Sequence, residues 1–507
     1  MRKLRNVLFW SGIFLVILTY IVIKPLDSLD EIWNFNFARC IANGLVPYKD
    51  INMVTTPLLG FITAIFLKIF GSEMFITRIL ASVIAIINLG VIYRICISLK
   101  IPNSIAKILI LIIMFIMKNY YCLDYNFLVV TFVFFIILLE IKSINQKFEN
   151  KKIHMCIGII AGLSICTKQS VGFVVSLFVI LSQLFFIKDN RNIKLIIKNI
   201  LLRIIGILIP IIVFIIYLLI CGAFYEFIDY AIVGLKTFSN NVPYINLVKS
   251  DEMFIKVLSI VIPILLIISI IVNCVLKILK KEDNYLFVLT VYCIPMITII
   301  YPISDKVHFL TAILPYYIIP AYVLGIIITN IKKLNFEYIF EFFEIVSFIW
   351  IILFTGYTEI RYRDELGALS KYRALNHFRN IIVEQNLEKT VKGVDNYIVK
   401  SEKAVYILDS NAALYMIPID RYNKDYDLFA KGNLGSGGEE NQINRIENRS
   451  EDDTKYLILN ENYKLNWQTP TKVLDYIKEN FVKTGTIGIY DIYEREQIVE
   501  YEPENEK

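Results

Sequence analysis

Three carboxylates, Asp27, Asp30 and Glu31, follow directly on the first long apolar run, in PLDSLDEIWNFNFARCIANGLVPYKD (Pro25–Asp50). Acidic groups are costly beside a bilayer, so a cluster there needs a reason. Part of the reason is local. Ser28-Leu29-Asp30-Glu31 fits the S-x-x-E capping box, in which Ser28 caps a helix and Glu31 reaches back to the Ser28 N–H. That accounts for Glu31, and partly for Asp27, because acids favour helix N-termini. Asp30 is left over, since one capping box does not need three acids and in a helix all three share a face. A carboxylate with no structural duty can take a proton or hold a divalent cation through oxygen.

Other polar residues stand alone between apolar runs. Asp124 lies in KNYYCLDYNF, Lys168 in the very short turn of LSICTKQSVGF, and Asp305, Lys306 and His308 crowd YPISDKVHFLTAILP. Each has a plain reading as a solvated loop acid, a lysine snorkelling to headgroups or an interfacial histidine. One His with scattered acids is not the spacing of a metal site, and His154 and His377 sit in basic, polar contexts without a signal. A metal such as Mg or Mn, held by carboxylates on one face, stays open; no other cofactor is implied. The eight cysteines contain no CxxC, which argues against a disulfide framework or a thiolate metal site.

These residues need elements to position them. The chain has 507 residues, 56% of them hydrophobic, and a mean hydropathy of +0.59, beyond the range of soluble domains. Apolar runs predict about eleven transmembrane helices, at 6–24, 74–93, 103–118, 126–141, 153–167, 170–187, 199–220, 254–276, 285–301, 309–329 and 338–356. They are nearly free of charge. The first follows MRKLR but is longer than a signal-peptide core and lacks a small-residue cleavage site, so it reads as an uncleaved span.

The run Leu58–Phe70, after Pro57 and before Gly71, has only 13 residues, too few to cross. If it does not cross, one side collects Arg2, Lys3 and Arg5; Arg94, Lys100 and Lys107; Lys142, Lys147, Lys151 and Lys152. The same side then collects Lys188, Arg191, Lys194 and Lys198; Lys277, Lys280 and Lys281; Lys332 and Lys333. That is the positive-inside pattern, so Leu58–Phe70 reads as an interfacial helix within a first outer loop, 25–73. The N-terminus is then cytoplasmic, and Asp30, Asp50, Asp124, Lys168, Asp229, Asp305 and His308 all face outward. Residues 1–356 form the membrane domain and 357–507 an extracytoplasmic one.

The tail carries 21 Lys and Arg against 27 Asp and Glu, and the membrane part 31 against 19. The basic residues lie in separate loops and form no single stripe, which excludes nucleic acid as a partner. KAVYILD, KYLILN and TGTIGIYDIYE read as strands and TKVLDYIKENF as an amphipathic helix, a small, separate α/β domain. Between the first two strands lies RYNKDYDLFAKGNLGSGGEENQ. Its GSGG lacks the Lys-Ser/Thr of a P-loop, and it reads as a flexible surface loop, with an acceptor-binding loop as the alternative.

The acidic pair Asp30-Glu31, ARCIANGLVPYKD (Ala38–Asp50), TTPLLGFITAIFLKIFG (Thr55–Gly71) and TRILAS (Thr77–Ser82) resemble the GT-C glycosyltransferases. The likeness is to the branch with the protein O-mannosyltransferases and the lipid A aminoarabinose transferase. LDYNF around Asp124, CTKQS around Lys168 and YPISDKVHFLTAILPYY around His308 extend it through most of the membrane part. The resemblance implies the GT-C fold and inverting transfer of a hexose or pentose from a polyprenyl-phosphate donor to an acceptor hydroxyl at the outer face. The acceptor would be lipid- or glycan-linked, in modification of a cell-envelope glycan or glycopolymer. It implies Asp30 as base, with Glu31 beside it and Asp124 as a second acid. Lys168, Lys306 and His308 would hold the donor phosphate, and Tyr48, Asp50 and Asp305 would contact substrate. The mannosyltransferases have His-Pro-Pro where this chain has Thr55-Thr56-Pro57, which speaks against a protein acceptor. Two rivals are a transporter or flippase of lipid-linked saccharides, which predicts charges buried within spans, and a non-catalytic envelope protein.

Overall fold

The computed structural model describes residues 2–26, 29–187, 190–237, 242–330, 336–365, 375–423, 426, 428–449, 454–466 and 468–495. Asp27, Ser28, Lys188, Lys332 and Lys333 lie outside the described residues. The membrane part begins with α1 (Arg2–Ile23), α2 (Leu29–Ala42), α3 (Leu58–Phe70), α4 (Met74–Ser98) and α5 (Asn103–Met117). It continues with α6 (Tyr125–Asn145), α7 (Lys151–Thr167), α8 (Gln169–Leu181) and α9 (Asn190–Cys221). Short α10 (Phe224–Phe227) leads into a π-helical turn (Ile228–Val233) and a 3-10 turn (Gly234–Thr237). Then come α11 (Ile245–Val248), α12 (Met253–Ile278), α13 (Asn284–Cys293), α14 (Ile297–Ile300), α15 (Lys306–Ala312), α16 (Ile318–Asn330) and α17 (Phe336–Glu365).

Among the described residues seven helices are long and apolar enough to cross a membrane, and α15 with α16, bent by 45°, makes an eighth. The other expected spans are the shorter helices α5, of 15 residues, α7, of 17, and the stretch 284–300. The chain is therefore a polytopic helical membrane protein. Helix α3 keeps its 13 residues, is closed by Gly71 at φ +105°, and packs on α2, α4 and α7 while exposing Ile65, Ile69 and Phe70. In the bundle, α7 and α9 touch through small residues: a Cβ on Gly206 would lie 2.9 Å from the Gly158 Cα.

The spans are not free of charge, contrary to the sequence reading. Arg203 of α9 donates to both oxygens of Glu140 on α6, at 2.6 and 2.8 Å, and Tyr292 of α13 donates to the same carboxylate at 2.6 Å. His154 of α7, silent in the sequence, meets the Arg203 guanidinium at 3.2 Å. Lys107, counted as a loop residue, is buried within α5 against Glu344 of α17, at 2.8 Å. Charges in lipid survive when paired inside the bundle, and pairing between distant helices leaves no local trace. These pairs sit at the ends of α5, α6 and α7 remote from Asp124 and Lys168.

Helix α17 runs through position 357 to Glu365. Beyond it come α18 (Gln385–Lys400), β1 (Ala404–Ile407), α19 (Ala412–Met416), α20 (Gly438–Glu447), β2 (Thr454–Leu459), α21 (Thr471–Asn480), β3 (Val482–Ile487) and β4 (Tyr490–Glu494). The sheet order is β1-β2-β4-β3, with β1 parallel to β2 and the other pairs antiparallel. The expected last strand is a hairpin, turned at Gly488 (φ +56°). This α/β layer is not separate from the body. Val391, Ile407, Met416 and Tyr490 share one apolar cluster with Leu26, Ile32, Phe35 and Met74 of the membrane part. The Leu26 N–H donates to the Ile382 carbonyl at 2.8 Å, and the Trp33 indole to that of Ser410 at 2.7 Å.

Candidate active site

The first turn of α6 supplies the centre of the site. Asp124 is its N-cap, extended at φ −136° and ψ 141°, and its Oδ1 accepts from the Phe127 N–H at 3.0 Å. Two residues on, the Asn126 Oδ1 accepts from the Lys168 Nζ at 2.7 Å, while the ammonium lies 5.1 Å over the Tyr125 ring. Lys168 is the single extended residue between α7 and α8, so its side chain leaves both helices sideways. Asp305 caps α15: its Oδ1 accepts from the His308 N–H at 2.8 Å and meets His308 Nδ1 at 2.9 Å. That contact leaves Nε2 as the nitrogen open to a ligand. Asn34 staples the first loop to this group, donating to the Asp30 carbonyl at 2.8 Å and the Leu123 carbonyl at 3.0 Å.

Asp30, Asp124, Lys168, Asp305 and His308 thus come from four separate stretches of chain into one electrostatic unit. Burial, then the Asp124 charge, raises the Asp30 carboxyl to about 6, with His308 and Lys168 opposing. Burial also raises Asp124. Burial lowers the Lys168 ammonium to about 8, although Asp124, Asp30 and Asp305 favour its charge. For Asp305 burial is outweighed by the bonds and charge of His308, and its carboxyl stays below the usual range. Beside the cluster lies a cavity of about 420 Å³. Thr55, Tyr125, Lys168, Gln169 and His308 supply its polar lining; Val54, Val174, Leu235 and Ile299 supply an apolar wall.

Other residues singled out in the sequence stand elsewhere. Glu31 is buried and turned away from the cluster: its two oxygens accept from Arg78 at 2.8 and 3.0 Å, and Ser28, its expected capping partner, lies outside the described residues. Tyr48 is buried, its hydroxyl donating to the Thr55 carbonyl at 2.7 Å. Asp50 closes its own turn by accepting from the Val46 N–H at 2.7 Å. Lys306 pairs with Glu252 and lies over the Tyr120 ring, outside the lining of the cavity. Asp229 accepts from the Ser436 N–H of the tail at 2.9 Å. The glycine-rich loop, read as flexible, is docked at that point. Among the described residues no three His, Cys, Asp or Glu side chains form a ligand set for a metal.

Sequence reasoning passed over two residues. Arg78 reaches Glu31 and the carbonyls of Val22, Lys24 and Pro25, tying the end of α1 to the start of α2. An arginine four residues into an apolar helix was the available signal, because such a charge requires a partner. Gln169 donates to the carbonyls of Val54 at 2.7 Å and Ala231 at 2.8 Å and accepts from Thr56 N–H at 3.2 Å. It latches the first loop and the 228–233 turn onto the residue next to Lys168, and nothing local in the sequence marks it.

The fold matches solved structures over nearly the whole length of the chain. ArnT from Cupriavidus metallidurans bound to undecaprenyl phosphate aligns over 97% of this chain and 98% of that one, at TM-score 0.57 and 9% identity. The oligosaccharyltransferase of Archaeoglobus fulgidus, in complex with Zn and sulfate, aligns over 96% of this chain and 73% of that one, at TM-score 0.51 and 11% identity. No protein-family model and no curated protein matches the sequence. The chain has the fold of the GT-C integral-membrane glycosyltransferases, with a small α/β layer after its last membrane helix.

Proposed function

We propose that this protein transfers a sugar from a polyprenyl-phosphate donor to an acceptor hydroxyl, with inversion, at the outer face of the membrane. The observation that carries the reading is the meeting of Asp30 and Asp124 with Lys168 and His308 beside a cavity that is polar on one side and apolar on the other. Such a cavity suits a phosphate joined to a prenyl chain, and a solved neighbour of the same fold holds undecaprenyl phosphate. Asp30 takes the proton of the acceptor hydroxyl as its oxygen bonds to the anomeric carbon. The bond from that carbon to the phosphate oxygen breaks on the opposite side, which inverts the centre. Phosphate leaves as an anion without needing an acid, and Lys168 and His308 Nε2 meet its charge.

A carboxyl raised to about 6 is a stronger base than an ordinary one yet still mostly ionised at neutral pH. Positioned proton transfer of this kind is worth about 10²–10⁴-fold. Burial and then the charge of Asp124 hold Asp30 at this value, and Asn126, two residues on, holds the Lys168 ammonium. Should a divalent cation take part, Asp30 and Asp124 are the oxygen donors it would use; no step above needs one. The acceptor is lipid- or glycan-linked, as Thr55-Thr56-Pro57 suggests, and the N-terminus is cytoplasmic with residues 357–507 outside. The buried Glu140–Arg203 pair does not favour a transporter, since its partners are met by other bundle residues and none lines the cavity.

Asp30→Asn in the purified full chain tests the reading. Sugar transfer from a polyprenyl-phosphate donor should be lost while the protein still inserts and folds; unchanged turnover refutes Asp30 as base.

A further inference from the structure

A second cavity, of about 250 Å³, lies where the tail meets the body, lined by Thr237, Lys431, Glu440, Lys472 and the backbone of the GNLGSGGEE loop. Its walls are held in place by close backbone approach. Gly435 has φ +74°, and a Cβ there would collide with the Asp229 carboxylate that accepts from Ser436 N–H. A Cβ on Gly234 would meet the Asp229 carbonyl at 2.6 Å and Gly435 at 3.2 Å. Asn433 of the same loop donates to the Asn52 carbonyl at 3.4 Å, and Arg445 to the Tyr230 hydroxyl at 3.2 Å. The loop therefore touches the body through both the first outer loop and the 228–237 turns.

Those turns also divide the two cavities. Within the four residues Gly234–Thr237, Leu235 lines the cavity of Lys168 and His308, whereas Thr237 lines the second one. The linings differ in kind. The first has an apolar wall; the second offers two lysines, two glutamates and glycine backbone. Among the described residues the half-buried Lys431 ammonium and the exposed Glu440 carboxylate at the cavity rim make no hydrogen bond or ion pair. The start of α21 is already met by the protein's own acid, since Glu439 Oε2 accepts from Lys472 N–H at 2.7 Å. Balanced, uncommitted donors and acceptors suit a neutral ligand rich in hydroxyls and not a phosphate or an acyl chain. The volume matches about eight waters, enough for one sugar ring with its hydroxyls.

We infer that this cavity is a saccharide subsite that seats the acceptor, with Lys431 and Glu440 as its specificity-determining side chains. The assignment rests on the transferase reading only for the word acceptor; saccharide binding itself is independent of it.

The test uses the full chain in lipid nanodiscs with methyl glycosides of glucose, galactose, mannose, arabinose and N-acetylglucosamine, read by saturation-transfer NMR. At least one glycoside should bind, and inorganic phosphate should not displace it. Lys431→Ala and Glu440→Gln should each weaken that binding about tenfold, the equivalent of one lost charge-assisted hydrogen bond, while the protein still elutes as a folded species. Lys168→Ala should leave it unchanged. Absence of binding by every glycoside overturns the inference, as does binding that survives both variants. Binding lost only in Lys168→Ala, or displaced by phosphate, also overturns it, because the sugar then occupies the donor side. Failure of donor-dependent transfer with glycoside binding intact would instead count against the transferase reading alone.

Discussion

Asp30→Asn should stabilise the protein while abolishing its activity. The carboxyl titrates near 6 in the folded state against 3.8 for the unperturbed group, chiefly because burial and the Asp124 charge disfavour the anion. Below 3.8 both states are protonated and the group has no effect on stability. Between 3.8 and about 6 the folded state holds the proton more firmly, so stability falls as pH rises through this window. Above it the full cost of the folded-state anion applies: about two pKa units at 1.36 kcal/mol each, or about 3 kcal/mol. Asparagine keeps the shape and removes the charge. Thermal unfolding of the two proteins in one detergent between pH 4 and 8 should show the variant melting a few degrees higher at neutral pH. The gap should close towards pH 4. A variant that melts lower at pH 7, or a gap that widens on acidification, refutes the view that Asp30 is held against its own stability for use as a base.

The pH profile of kcat/KM should rise through about 6 as Asp30 ionises and fall above about 8 as Lys168 loses its proton. Asp124→Asn should move the acid limb to lower pH, because it removes a like charge, and Lys168→Arg should remove the basic limb; rates across pH check both. Lys168→Ala should lower kcat about 10²–10³-fold, the usual loss for one stabilising donor at a developing anion. Arg78→Met strands a buried Glu31 carboxylate and should destabilise by about 3–5 kcal/mol, whereas Arg78→Met with Glu31→Leu should recover most of it. Thermal melts of the single and double variants check both outcomes.

What the residues by themselves determined was local. Runs of apolar side chains long enough for a bilayer set the helices; that Asp124 and Asp305 cap α6 and α15 emerged only from the structure. The strands of the tail were legible from short β-branched and aromatic runs. Lone polar residues between spans were expected to share one face, and Asp30, Asp124, Lys168 and His308 do come together beside one cavity.

What tertiary structure decided was every partner reached across the chain. Glu31 and Asp30 are neighbours in sequence, yet helix geometry turns one to Arg78, 47 positions away, and leaves the other with the cluster. Tyr48 and Asp50 shared a motif with the site but close their own loop. The glycine-rich stretch looked mobile because composition reports freedom of the backbone and not what the backbone leans on. One of its glycines, Gly435, is where Asp229 approaches too closely for a Cβ. Glu140 and Arg203 could be placed inside the bundle only once α6 and α9 were seen to face each other. Periodicity acts over a few residues, so sequence carries it; pairing of charges and seating of loops depend on which distant surfaces meet, and only the packed chain decides that.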